Sequence, residues 1–289
     1  MKFYVISIVA IFAALGIGIY IGFMLDAQEF VAEQKEDIAT KLEERFDFLK
    51  GENQNLKLII KEKELENDNY KLFIESTCEE IVKDKLKGKK IAIIETKDDY
   101  MYSGVGQILE AAGANVVNVT TITDKIMDEK VLKAFYDELG ISVQNNHLTL
   151  NVTREIAKAI ITGEESELVE SMLKNNIIDL VGTIDQPIDY VIIAGGSVKE
   201  DKNRIALVDK TIVDISKNMD KPIIGIEKLK TNYSYVEAYK DFRISTIDNV
   251  DTTMGKVSLI LAMEGRPGHY GIKQTAEELV PNLKLSILE

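Results

Sequence analysis

The chain has 289 residues, about two domains' worth, with 45% hydrophobic and 29% charged residues, the composition of folded rather than disordered protein. Its 48 acidic against 35 basic residues give a net charge of −13, which argues against nucleic acid as a partner. One cysteine, Cys78, and two histidines, His147 and His269, exclude an intrachain disulfide framework and a cysteine-rich zinc site, and leave few metal ligands.

The mean hydropathy of −0.05 hides an uneven distribution. From Phe3 to Leu25 no residue is charged. These 23 positions, at about 1.5 Å each, are enough to cross a hydrocarbon core of roughly 30 Å. The run is long for a cleaved signal peptide, and nothing better than Leu25-Asp26-Ala27 follows it as a cleavage site. Residues 1–25 therefore read as an uncleaved signal anchor, with a cleaved signal or a buried core helix as alternatives. Ala10, Ala14, Gly18 and Gly22 recur every four residues, a stripe that lets two helix backbones approach in lipid. The flanking positive charges, Lys2 before the span and Lys35, Lys41 and Arg45 after it, do not decide the orientation.

Residues 26–87 form the second segment. Between 35 and 87 there is no proline and one glycine, Gly51. A seam stepping by three and four runs through Leu42, Phe46, Leu49, Asn53, Leu56, Ile60, Lys63, Asn67, Tyr70, Ile74, Thr77 and Ile81. A 3.5-residue repeat held this long predicts a coiled coil. With Phe46 at position a, Asn53 and Asn67 also fall at a, where paired asparagines fix the register of a parallel dimer. The spacing predicts a parallel homodimer or a hetero-coiled coil with a membrane or envelope partner. The alternative is one long helix folding back on the domain that follows. Cys78 falls at an e position, either for a disulfide between chains or as an inert thiol.

Residues 88–289 read as an α/β globular domain. Short β-branched runs at 91–94, 115–119, 190–194, 222–226 and 244–247 predict strands. Helical spacing intervenes at about 104–112, 128–139, 153–161, 166–173, 203–218 and 252–263. The alternation predicts a parallel sheet with helices on both faces, a flavodoxin- or Rossmann-like three-layer fold. The helix-rich stretch 120–189 is weakly patterned and reads as an insertion or a small subdomain.

Ligands of open α/β sheets bind at the carboxyl ends of strands. The first strand runs into Glu95-Thr96-Lys97-Asp98-Asp99-Tyr100, which has no dinucleotide fingerprint and would repel phosphate; a P-loop is also missing. Ala194-Gly195-Gly196-Ser197 could admit a ligand to the backbone or simply form a tight turn, and Ser197 has no G-x-S-x-G context. His147 reads as a turn or strand-edge residue and His269 as a loop residue. The eight methionines are scattered, and Met254 and Met263 read as core. No catalytic, cofactor or metal residue is assigned; the expectation is a protein that is not an enzyme and has no cofactor. Near the end, Asp251 reads as the N-cap of the last helix and Asp248 as a cap or a binder of loop amides. Gly265-Arg266-Pro267-Gly268 terminates that helix.

Three stretches carry a resemblance. They are the anchor, with Tyr4-Val5-Ile6-Ser7-Ile8-Val9-Ala10 and Ala14-Leu15-Gly16-Ile17-Gly18; the coil; and a C-terminal set. That set comprises Ile247-Asp248-Asn249-Val250-Asp251-Thr252, Gly255, Gly268-His269-Tyr270-Gly271 and Leu279-Val280-Pro281. The chain resembles the bacterial copper transporter (MctB-like) family and looks like the related cell-separation protein SteB. The resemblance implies a single-pass cell-membrane protein with its C-terminal domain outside the cytoplasm, and a copper-related name. Similarity to SteB implies a role in daughter-cell separation with a membrane partner. One helix cannot form a pore, and the ligand inventory argues against copper binding. The residues therefore point to a non-enzymatic coiled-coil scaffold or regulator, with copper efflux or tolerance, or a small-molecule-binding α/β domain, as alternatives.

Overall fold

The computed structural model describes residues 2–141, 147–164 and 166–282, and the side chains of all of these except 2, 26–34 and 36. The chain forms two compact units, Met1–Lys71 and Leu72–Glu289.

The first unit belongs to helix α1 (Lys2–Val82). No proline interrupts α1, and i,i+3 and i,i+4 pairs such as Lys41–Asp37 at 2.6 Å and Lys63–Glu66 at 2.7 Å support its exposed surface. Within it, Phe3–Leu25 has a mean hydropathy of 2.5 and is 0% buried, which by length and composition suffices to cross a membrane.

The second unit begins with the last turns of α1. Cys78, Val82 and Leu86 are buried against the α/β core. The chain then turns at Gly88, whose φ of +74° favours glycine. The sheet consists of β1 (Lys90–Glu95), β2 (Asn115–Ile122), β3 (Ile178–Gly182), β4 (Tyr190–Ala194), β5 (Ile223–Ile226), β6 (Ser245–Ile247) and β7 (His269–Tyr270). Its order is β3-β2-β1-β4-β5-β6-β7, parallel throughout except for the β2–β3 pair. The helices are α2 (Gly104–Ala111), α3 (Glu129–Glu138), α4 (Leu148–Thr162), α5 (Glu167–Lys174), α8 (Val236–Asp241) and α9 (Thr253–Gly265). A further helical stretch starts as α6 (Lys202–Arg204), passes through a π-helical segment (Ile205–Asp209) and continues as α7 (Lys210–Asn218).

Alternation along the strands builds two cores. Ala92 and Ile94 of β1, with Val191 and Ile193 of β4, face α3, α4, α5, α7 and α8. Ile91 and Ile93, with Ile192 and Ala194, face the end of α1, α2 and α9. Each fully buried isoleucine contributes about 1.5–3 kcal/mol of hydrophobic stabilisation. The fold is thus the expected three-layer α/β arrangement.

Two expectations change, and two elements went unread. Residues 120–189 are no separate subdomain: α4 packs on α7, and β3 extends the same sheet. β3 and α8 were not legible, because a five-residue edge strand and a six-residue helix offer little periodicity. His269 lies in β7 rather than in a loop, with Nδ1 2.9 Å from Thr246 Oγ1.

Candidate functional site

β1 lies between β2 and β4, so the strand order reverses beside it and the crevice at its carboxyl end is where an open α/β sheet takes a ligand. On the β4 side, the chain's own tyrosines occupy part of that place. Tyr102 donates its hydroxyl to the Gly195 carbonyl at 2.5 Å, and its amide is held by Glu95 Oε1 at 2.8 Å. A side chain on Gly195 would collide with the rings of Tyr239 and Tyr235. Gly196, at φ +99°, stands against Thr231 and Glu227. The paired glycines therefore serve internal packing. Burial pushes the hydroxyls of Tyr102, Tyr235 and Tyr239 well above their ordinary range, so all three stay protonated.

Beneath the crevice lies a buried polar cluster. Arg204 is fully buried and donates Nε to the Thr96 carbonyl at 2.6 Å, Nη2 to the Ile122 carbonyl at 2.7 Å and Nη1 to Asp124 at 3.0 Å. The π-helical segment turns Asp209 inward, where its Oδ1 accepts from Thr96 at 2.9 Å and Tyr239 at 2.6 Å. Asp209 Oδ2 is buried without a hydrogen-bond partner. Burial raises the Asp209 carboxyl to about 7, against the lowering effect of Tyr239, Thr96 and Arg204. Sequence reasoning missed this cluster. The only trace is a pair of charges, Arg204 and Asp209, enclosing the apolar run Ile205-Ala206-Leu207-Val208.

An open cleft of about 670 Å³ lies alongside, lined by Lys97, Asp124, Met127, Asp128, Glu129, Lys130 and Asp201. Lys97 sits among Asp124, Asp99 and Asp201 at 3.4, 3.7 and 3.9 Å. The cleft opens at the carboxyl ends of β1, β2 and β4; Lys97, Asp124 and Asp201 in its walls are paired with one another, and Asp128 caps α3. Among the described residues no group of three or more His, Cys, Asp or Glu side chains is placed to hold a metal ion.

The C-terminal motif residues do come together. Asp248 is buried at the end of β6 and accepts the amides of Ile272 at 2.9 Å and Lys273 at 2.8 Å, as a binder of loop amides should. Gly271 and Gly268 leave room for the Asp248 carboxylate and the Tyr270 ring, and Gly255 lets α9 touch the Asn249 backbone. The cap of α9 is Thr252, whose Oγ1 accepts the Gly255 amide at 3.0 Å, and not Asp251. Asp251 instead holds the Leu229 amide at 2.8 Å, tying the loop after β5 to α9. This is a structural clasp: its carboxylates are spent on backbone amides.

The α1 positions are arranged differently. Leu42, Phe46, Leu49, Leu56, Ile60, Tyr70 and Ile74 are exposed, as are Asn53 and Asn67 between them, while Ile81 is half-buried. Ala10, Ala14, Gly18 and Gly22 are exposed too. A seam of this kind left in water implies something to cover it. Cys78 is buried, and burial pushes its thiol up.

These features define a class: an α/β domain with a mostly parallel sheet, following a long helix whose first turns are able to cross a membrane. Residues 1–281 match the family of the copper transport outer membrane protein MctB, and the chain belongs to that family. No curated protein matches the chain.

Proposed function

We propose that this protein is a membrane-anchored, non-enzymatic scaffold of the cell envelope that works through a parallel coiled-coil pair. The observation that carries the reading is the exposed seam from Leu42 to Ile74, with Asn53 and Asn67 at the positions that set a parallel register. The packing of Tyr102, Tyr235 and Tyr239 around Gly195, which takes up the β4 side of the crevice, supports a domain that does no chemistry there. The part in cell separation rests on the similarity of the anchor and C-terminal motifs to SteB.

The family's description favours a second reading, a direct role in copper transport or tolerance. Copper would then be cargo handled with other subunits, since one helix encloses no pore.

One experiment separates the two. In the host, Asn53→Ile/Asn67→Ile should produce chains of unseparated cells at unchanged copper tolerance. Copper sensitivity with normal separation would overturn the scaffold reading in favour of the second.

A further inference from the structure

The seam is not the only apolar line on α1. Leu58, Leu65 and Leu72 are seven residues apart and each is about two-thirds exposed, at 67, 65 and 65%. In the heptad set by Phe46 they fall at position f, on the side of the helix opposite a and d. Exposed Ile59 and Phe73 border them at g. Exposed outer positions of a two-stranded coil are normally charged, so a leucine at three successive f positions needs its own explanation.

Pairing this stripe with a second copy of the chain meets an obstacle. Read as a core line, the leucines alternate with Glu62 and Asn69 at the intervening positions, and Glu66 flanks them. A parallel second copy would place Glu62 against Glu62 between two leucine layers, burying like charges. A different helix with a cation at that level would neutralise Glu62 instead, and an amide would suit Asn69.

We infer that the Leu58–Leu65–Leu72 stripe is a docking face for a helix of a different protein, apolar at heptad spacing and carrying Arg or Lys opposite Glu62. The inference rests on the proposed parallel pair, whose a/d seam leaves this side free. The geometry makes a three- or four-helix assembly in which two chains face each other and each carries a partner helix on its back.

The test uses the full-length chain in lipid nanodiscs and two synthetic 28-residue helical peptides. Both carry leucine at heptad spacing and asparagine facing Asn69; one has arginine and the other glutamate facing Glu62. The arginine peptide should bind at least tenfold more tightly by fluorescence anisotropy. Leu58→Gln/Leu65→Gln should abolish its binding, and Glu62→Lys should invert the preference. The dimer, monitored by a disulfide at Asn53→Cys in a Cys78→Ser background, should survive Leu58→Gln/Leu65→Gln. Equal binding of the two peptides, or no binding of either, overturns the inference while leaving the dimer intact. Loss of the dimer in Leu58→Gln/Leu65→Gln assigns the stripe to a second copy and also overturns it.

Discussion

Asp248 and Gly271 are built around each other. The carboxylate at the end of β6 holds the amides of Ile272 and Lys273 at 2.9 and 2.8 Å, and Gly271 lies against it so closely that no side chain fits. Asp248→Ala should leave two amides without their acceptor and cost about 1–3 kcal/mol. For a domain of this size each kcal/mol lowers Tm by about 2–4 °C. Gly271→Ala, at φ +141°, should cost at least as much. The double variant should be less destabilised than the two single effects added, because both break one clasp; thermal melts of all three check this.

The motif residues were legible in the sequence as a group, since aspartates and glycines packed between a strand and a helix announce turns. Which residue caps α9 was not. Asp251 and Thr252 are adjacent cap formers, and the choice fell to Thr252 because the loop after β5 brings the Leu229 amide to Asp251. That contact joins residues 22 apart in sequence, beyond any local pattern.

Gly195→Ala tests whether the β4 side of the crevice is filled. Its new methyl group would meet Tyr239 and Tyr235, so the domain should lose about 1–3 kcal/mol in a denaturant titration. Unchanged stability would mean the tyrosines yield easily and the crevice is open to ligands.

Asp209 should make stability fall as pH rises. Its folded carboxyl, at about 7, is raised above the ordinary 3.8. The folded state therefore holds a proton that the unfolded state releases, and stability declines between about pH 4 and 7. Asp209→Asn keeps an oxygen for Thr96 and Tyr239 and removes the titration. The variant should gain on the parent across that window, by at most about 4 kcal/mol. Denaturant midpoints at pH 4, 5.5 and 7 check the trend; a constant difference would contradict it. This buried carboxylate could not be read from the sequence, because an α-helical wheel does not place a π-helical residue.

The end of α1 is fixed to the domain. Native Cys78 should react with a maleimide far more slowly than the unfolded chain, and Leu86→Ala, which empties part of the same core, should speed the reaction. The sequence placed Cys78 beside the coil seam because heptad spacing continues through it. The spacing cannot show that the neighbouring face is covered by α2 and α9 from residues far along the chain.

The proposed function requires two chains to pair in parallel along the seam. This pairing is checked most directly by oxidative cross-linking of Asn53→Cys in a Cys78→Ser background, in membranes, beside Gln54→Cys, which falls at position b on the outer side of the helix, as a control. A disulfide dimer should form rapidly at position 53 and little at 54. Absence of cross-linking at 53, or equal cross-linking at both positions, would contradict it.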